Sequence, residues 1–463
     1  MTVAVQAMPK VLAVWFKDLH RWDYGFFRTL TWEWPADLLF PVGTVLNRKQ
    51  IEVTEAKDKT VLPIIEKISF GGQVSVTDVK SRANYKGRLF WAESGNLIYS
   101  KIRIKQGSLA IVPDELDRLA VSAEYPVYSI NKELIDPTFL TLVLKSKSFL
   151  SLFEGLSHGG STKTRISPAE FERQLIPLPR LTEQKAIVAR WRKAQDDIAS
   201  AKVRVAAITI ELEHGLLNQI GLEIEPPTPQ RGAFALFWGD LERWDTFFYR
   251  KDFVALKHSL ARINRKKLGD LASFISRPWK YESFPDGFFK YVEISSVSKE
   301  DGIFSSKVVG LKEAPSRATT LICKGDLIIS TTRPYLGAIA IVPETYDNHV
   351  CSSGFALVDS VDDTHILKEY LLFFLKSQGG LKQMEQRMTG GLYPAITQDE
   401  LEKIEIPLPP LSVQKQMMER VAAGREEIAR EREAADRLAH DINAEVEALI
   451  LGTKKVSAPF FIG

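Results

Sequence analysis

Cysteine is almost missing from this chain. Cys323 and Cys351 are the only two in 463 residues, 28 positions apart. That spacing fits no zinc or redox motif, and the scarcity suits a reducing, cytoplasmic setting. No apolar run approaches the ~18 residues of a membrane span, so no membrane partner is expected. The first residues lack a basic region followed by an apolar run, so no signal peptide is expected. There is no GxxxxGK[ST] phosphate loop and no HExxH. There is no NPPY- or DPPY-like tetrapeptide of the amino-methyltransferase kind, and the seven histidines are scattered. Gly155 to Ser161 (GLSHGGS) resembles a phosphate loop only in its glycines. Charged pairs at helical spacing, such as Glu426 and Arg430, read as solvated helix faces. These absences nominate no catalytic residue, cofactor-binding residue or metal ligand.

Excess charge of one sign is also missing. The net charge is +3. Residues 1–180 carry 24 Lys+Arg against 19 Asp+Glu, whereas residues 226–411 carry 23 of each. This is not the footprint of a nonspecific polycation binder. A nucleic-acid ligand would need local patches or partner subunits for much of its phosphate attraction.

What is present is a repeat. Ile176 to Lys185 reads IPLPRLTEQK and Ile406 to Lys415 reads IPLPPLSVQK, identical at seven of ten positions and 230 apart. Gly95, Leu97, Ser100, Gly107, Ala110, Ile111, Val112 and Pro113 recur at the same offset, as Gly325 through Pro343. LHRWDYGFF (Leu19 to Phe27) matches LERWDTFFY (Leu241 to Tyr249) at an offset of 222, so the second half carries about eight extra residues between these blocks. A period this long marks a duplicated domain and not a solenoid.

Each proline box is followed by a helical pattern. Ile187, Trp191, Ala194, Ile198, Ala201, Val205, Ile208 and Leu212 alternate spacings of four and three, the seam of a heptad. Met417, Val421, Gly424, Ile428, Glu431, Ala435, Leu438 and Ile442 occupy the same register 230 residues on. Thr182 and Ser412 are the expected N-caps. A helix of this length is ~57 Å long. The segment Glu223 to Arg231 spans at most ~30 Å when extended, which favours an antiparallel over a parallel pair. The globular halves read as mixed α/β, with short runs such as GDLIIS and GAIAIVP as strands and Phe139 to Leu144 and Tyr370 to Leu375 as buried helices.

The expected organisation is therefore an α/β (α+β) two-domain repeat, with two globular domains separated by a pair of long helices forming an intramolecular antiparallel coiled coil. The boundaries read as domain 1 at 1–180, helix 1 at 181–222, linker and domain 2 at 223–411, helix 2 at 412–452, and a tail at 453–463. The tail is expected to return to domain 1, since Pro459 falls 230 after Pro229.

Two divergent domains, each ending in an IPLPxLxxQK box and a heptad helix, resemble the specificity (S) subunit of a type I DNA restriction–modification system. The block KGDLIIS…GAIAIVP (Lys324 to Pro343) and GGLYPAIT (Gly390 to Thr397) carry the same resemblance, which covers essentially the whole chain. It implies a noncatalytic subunit whose domains each read one half of a bipartite double-stranded DNA site. The helices would act as a ruler and would bind two methyltransferase subunits. S-adenosylmethionine would sit in those subunits; ATP and Mg would sit in restriction subunits, two of them where present. The alternative from another class is a duplicated coiled-coil adaptor that joins two copies of a partner without reading sequence.

With DNA as the ligand, the loop GGSTKTRIS (Gly159 to Ser167) offers Lys163, Thr164 and Arg165 for phosphate or base-edge contact, or is an ordinary surface turn. Its counterpart offers Tyr393, which contacts a base or sugar or packs under Pro394. Arg103 and Arg333 follow equivalent apolar strands and suggest a DNA-facing loop, an argument Lys101 shares; the other reading is a solvated strand end. SRPWKYE mixes Arg277, Lys280 and Tyr281 with Trp279, and SRANYKGR (Ser81 to Arg88) is its rough counterpart. The repeated Arg-Trp-Asp, at Arg21 to Asp23 and Arg243 to Asp245, reads as structural, with Trp filling a core or junction and Asp capping a turn. The box prolines read as mechanical, setting the angle between domain and helix.

Overall fold

A computed structural model describes residues 32–54, 62–79, 87–153, 165–226, 238 and 241–455. The chain divides into two compact units: residues 1–202 with 433–463, and residues 203–432. Each unit thus takes one half of each long helix.

The first unit contains β1 (Leu39–Pro41), β2 (Leu46–Lys49), β3 (Leu62–Ile68), β4 (Val74–Val79), β5 (Leu89–Glu93), β6 (Leu97–Tyr99), β7 (Leu109–Ile111), β8 (Arg118–Ser122), β9 (Val127–Ile130) and β10 (Leu175–Pro177). They form two four-stranded sheets, ordered β2-β9-β6-β7 and β4-β3-β8-β5, and a β1-β10 pair. Among the described residues of this unit, only β3 and β8 pair in parallel. Three helices, α1 (Pro137–Lys145), α2 (Lys147–Ser151) and α3 (Pro168–Glu172), precede the first long helix, α4 (Leu181–Gln219). Helix α1 starts where Asp136 accepts hydrogen bonds from the Thr138 and Phe139 amides and proline occupies the first turn. Its Phe139, Leu140, Val143 and Leu144 face one core with Tyr99, Tyr128, Phe149, Phe153 and Phe171.

The second unit repeats this plan. Its strands are β11 (Arg265–Lys267), β12 (Ala272–Ile275), β13 (Phe288–Val292), β14 (Val297–Ser298), β15 (Gly302–Ile303), β16 (Lys307–Gly310), β17 (Ala318–Ile322), β18 (Leu327–Ser330), β19 (Ile339–Ile341), β20 (His349–Ser352), β21 (Phe355–Val361) and β22 (Glu405–Pro407). The sheets are ordered β12-β21-β18-β19 and β16-β13-β20-β17, with a β11-β22 pair. The parallel neighbours are now β13 and β20. The addition is the β14-β15 hairpin, which joins β13 to β16 where the first unit has only residues 69–73. Equivalent positions lie 226 apart at β1 and β11 and 230 apart at β6 and β18, so part of the expected extra length is this hairpin. Helices α5 (Lys251–Ala261), α6 (Lys368–Lys376), α7 (Gln378–Arg387) and α8 (Gln398–Leu401) precede the second long helix, α9 (Leu411–Leu451).

The two long helices pair along the expected seam. Every seam position named from the heptad pattern is buried or half-buried. In the first unit, Ile187 and Ala194 share a core with Ile442, Val446, Leu449 and Ile450. There Arg190 Nε donates to Glu445 Oε2 at 2.8 Å. In the second unit, Arg204 meets Glu431 at 2.9 Å and Arg420 meets Gln219 at 2.8 Å. Numbers rise along α4 as they fall along α9, so the pairing is antiparallel. Gly424 sits at a seam position where a Cβ would come within 2.6 Å of Leu212 Cδ2.

Thr182 and Ser412 are not caps. The helices begin one residue earlier, at Leu181 and Leu411, with Glu183 N bonded to Arg180 O and Val413 N to Pro410 O. The box instead works through its glutamine. Gln184 is fully buried. Its Nε2 donates to Leu134 O (3.0 Å) and Pro179 O (2.8 Å), and its Oε1 accepts from Asp136 N at 2.8 Å. Gln414 repeats this on His365 O (2.9 Å), Pro409 O (2.9 Å) and Leu367 N (2.9 Å). Each glutamine ties the helix start to the loop that leads into α1 or α6.

A second repeated detail carries a pH effect. Lys145, ending α1, donates to Gly71 O at 2.6 Å; Lys376, ending α6, reaches Ser298 O at 3.5 Å. Lys376 is buried. Burial and the nearby Arg425 push its ammonium down to about 8, with Glu300, Lys299 and Asp301 acting more weakly. An unfolded lysine titrates near 10.4. The unfolded chain therefore holds more protons between those values, and stability rises with pH across that window. Lys376→Met is expected to raise the unfolding midpoint at pH 7 and to flatten the rise above pH 8, as read by urea titrations at several pH values.

Candidate nucleic-acid interface

In the first unit three backbone segments converge beside the β6-β7 connection. Lys101 N donates to Glu124 O at 3.1 Å, and Ile166 N donates to Lys101 O at 2.9 Å. This fastens the β6-β7 loop to the β8-β9 turn and to the segment entering α3. Gly107 closes the loop at φ +85°, a conformation that favours glycine. Lys101, Arg103 and Arg165 are thereby brought together. The Lys101 ammonium donates to Ala123 O at 2.6 Å. Arg165 pairs with Glu124 at 3.2 Å while its side chain stays 64% exposed. Arg103 is exposed. Lys163 and Thr164 lie outside the described residues, as do residues 81–86 of SRANYKGR and the tail from 456 to 463.

The second unit builds the same junction. Ile396 N donates to Thr331 O at 2.8 Å, the counterpart of the Ile166–Lys101 bond. Arg333 N donates to Pro394 O at 2.8 Å. Arg333 is held at φ 47°, ψ 54°, in the left-handed region that a non-glycine residue avoids. Such strain costs on the order of 1–3 kcal/mol and persists where the surroundings impose it. Its guanidinium lies 5.2 Å from the Tyr393 ring centroid, within cation–π range. Two residues chosen from sequence are thus placed in contact.

Beside them are three exposed apolar side chains that sequence reasoning passed over: Tyr335, Leu336 at 56% and Leu392 at 81% exposure. The available signal was an apolar residue directly after Arg-Pro and after Gly-Gly, in loops with no core to fill.

The SRPWKYE segment is more structural than its composition suggests. Arg277 grips the carboxylate of buried Asp326 with both terminal nitrogens and also donates to Leu321 O at 3.3 Å. Trp279 donates to Ala318 O at 2.6 Å and packs against Phe284 and Phe289. Lys280 is exposed, and Tyr281 opens a 3-10 turn, Tyr281–Ser283.

The Arg-Trp-Asp reading needs one correction. Arg243 is structural, meeting Glu400 at 2.6 Å and Arg387 O at 3.1 Å, and Asp245 accepts from Phe247 N at 2.9 Å. Trp244, however, fills no core: it is 86% exposed and stands 6.1 Å from the Trp238 ring. Arg243 and Asp245 already satisfy the turn, so the indole is left outside. Arg21 to Asp23 lie outside the described residues.

Among the described residues, no group of three or more His, Cys, Asp or Glu is placed to hold a metal, and no helix is long and apolar enough to cross a membrane.

A family model described as the type I restriction modification DNA specificity domain matches residues 42–220 and 263–434, once per repeat. The chain is 22% identical over 396 residues to the putative type I restriction enzyme MjaX specificity subunit of Methanocaldococcus jannaschii, covering 81% of this chain and 83% of that one. It is 25% identical over 154 residues to the type I restriction enzyme HindI specificity subunit of Haemophilus influenzae, a match spanning 33% of each chain. A solved structure reported for complex assembly and conformational transition of a type I R-M system matches 89% of this chain and 97% of that one, at 18% identity and a TM-score of 0.54. At that identity the likeness concerns the fold.

Proposed function

The chain belongs to the family of type I restriction modification DNA specificity domains, and we propose that it acts there as a noncatalytic reader and scaffold. Each unit reads one half of a bipartite duplex site through the loop pair fastened at Lys101–Ile166 or Thr331–Ile396. The paired helices hold the readers and carry two methyltransferase subunits, which supply S-adenosylmethionine. Restriction subunits with ATP and Mg join the same scaffold where the system has them.

One observation carries this reading. The two junctions share a backbone bond, an arginine at equivalent positions and a closing glycine, yet present different side chains. A common frame with divergent contents suits two readers of unlike half-sites.

The shared arginines are assigned to phosphate. Arg333→Ala is expected to weaken binding to all sequences alike and to lower the slope of log affinity against log salt by about 1. Anisotropy titrations from about 50 to about 300 mM salt would read both effects.

The decisive experiment reconstitutes the chain with its methyltransferase and selects duplexes from a randomised library. One bipartite sequence should emerge, and replacing residues 1–180 by those of a relative should change one half only. Sequence-independent binding would overturn the proposal.

A further inference from the structure

The two loop pairs differ most in residues at their tips. Position by position at the 230 offset, Tyr335 corresponds to Lys105, Leu336 to Gln106, Leu392 to Thr162 and Tyr393 to Lys163. All four members in the second unit are apolar or aromatic and exposed, from 39% at Tyr335 to 81% at Leu392. All four counterparts carry a polar group. The neighbouring arginine is the same in both, Arg103 and Arg333, while other positions of the loop pair also change, Lys101 against Thr331, Thr164 against Pro394 and Arg165 against Ala395.

Exposed leucines on two glycine-bearing loops stabilise nothing in the unit itself. Leu336 and Leu392 have no side-chain donor or acceptor, so they cannot pair with the polar edges of guanine, cytosine or adenine. A base edge pressed against them would leave its own donors and acceptors without partners, a loss of binding. The one base with an apolar group in the major groove is thymine, through its 5-methyl.

Resting on the DNA-reading role proposed above, we infer that these four positions are the specificity-determining ones. The second unit selects an A·T pair by burying the thymine methyl against Leu336 and Leu392. Tyr393, held under the Arg333 guanidinium, fixes the approach of the loop. The first unit has no apolar residue at the equivalent sequence positions, so its half-site is not selected through a thymine methyl.

The test uses the methyltransferase complex and the duplex it selects. Each thymine of the second half-site is replaced by uracil, which removes only the methyl group. At one position at least, affinity should fall about 4-fold, the value of one buried carbon. The same exchange in the first half-site should leave affinity unchanged. In the Leu336→Ala/Leu392→Ala double variant the thymine-to-uracil ratio should collapse to about 1, consistent with loss of that same contact. Both leucines are exposed, and an unchanged unfolding midpoint would verify that the variant is folded. A second half-site without an A·T pair overturns the inference. So does uracil binding like thymine, or a ratio that survives the leucine substitutions, in a complex that still selects a bipartite site. Failure to select any site instead overturns the DNA-reading role.

Discussion

Replacing Asp252 by alanine is expected to cost the second unit about 3–5 kcal/mol. The Asp252 side chain is fully buried, on the first turn of α5. It accepts from Arg250 at 2.6 and 2.9 Å and from Lys382 at 2.9 Å. Arg250 also meets Glu385 at 3.1 Å and lies 4.0 Å over the Phe253 ring. Removing the carboxylate leaves the buried Lys382 ammonium without its counter-ion, and that uncompensated charge carries most of the cost. Burial alone would raise the Asp252 carboxyl, but the hydrogen bonds and charges of Arg250 and Lys382 hold it below its ordinary range. Its contribution is therefore complete above about pH 4, the unfolded value, and is lost as the pH falls through the lower folded one. Calorimetry should show the second unit's transition shifted down at pH 7, and less shifted in acid. A shift under about 1 kcal/mol at pH 7, on the scale of exposed pairs, would show that the network is solvated.

The second large effect belongs to the box glutamines. Gln414→Leu keeps the size of the side chain but strands the half-buried Leu367 amide and the His365 and Pro409 carbonyls. At about 1–3 kcal/mol per stranded group the expected loss is roughly 3 kcal/mol or more. Gln184→Leu should do the same to the first unit through Asp136, Leu134 and Pro179. Gln→Glu should not rescue either site, because a carboxylate would face two carbonyls. A further outcome separates a joint from mere core packing. With the domain less firmly fixed to its helix, the variant complex should accept half-sites one base pair nearer or farther apart. Unchanged unfolding midpoints in both leucine variants would refute the assigned role.

The scaffold was legible in the sequence because its pattern is local. Heptad spacing marks Ile187 through Leu212 one by one, and the duplicated box locates both helix starts to within a residue. The reading surface was only partly legible. Arg333 and Tyr393 are 60 positions apart, and nothing short of the fold says that they touch. Arg277 looked like a ligand contact because Asp326, its buried partner, is 49 residues away. Trp244 shows the converse: an indole reads as core material until the structure leaves it in solvent. The strand order was not legible, since parallel neighbours such as β3 and β8 are joined through long-range pairing that carries no local signal.

The core of the first unit has a consequence for how the chain is made. Ile442, Val446, Leu449 and Ile450 pack among residues numbered from 42 to 194. Glu33 N and Trp34 Nε1 bond to the carbonyls of Leu451 and Ile450 at 2.8 and 2.7 Å. A ribosome that has finished residue 202 must add roughly 250 more before that core can close, on the order of 12–50 s at 5–20 residues per second. The second unit needs nothing beyond residue 432. The half synthesised first is thus the half completed last, and until residue 450 has been made it waits with an open apolar face that a chaperone could recognise.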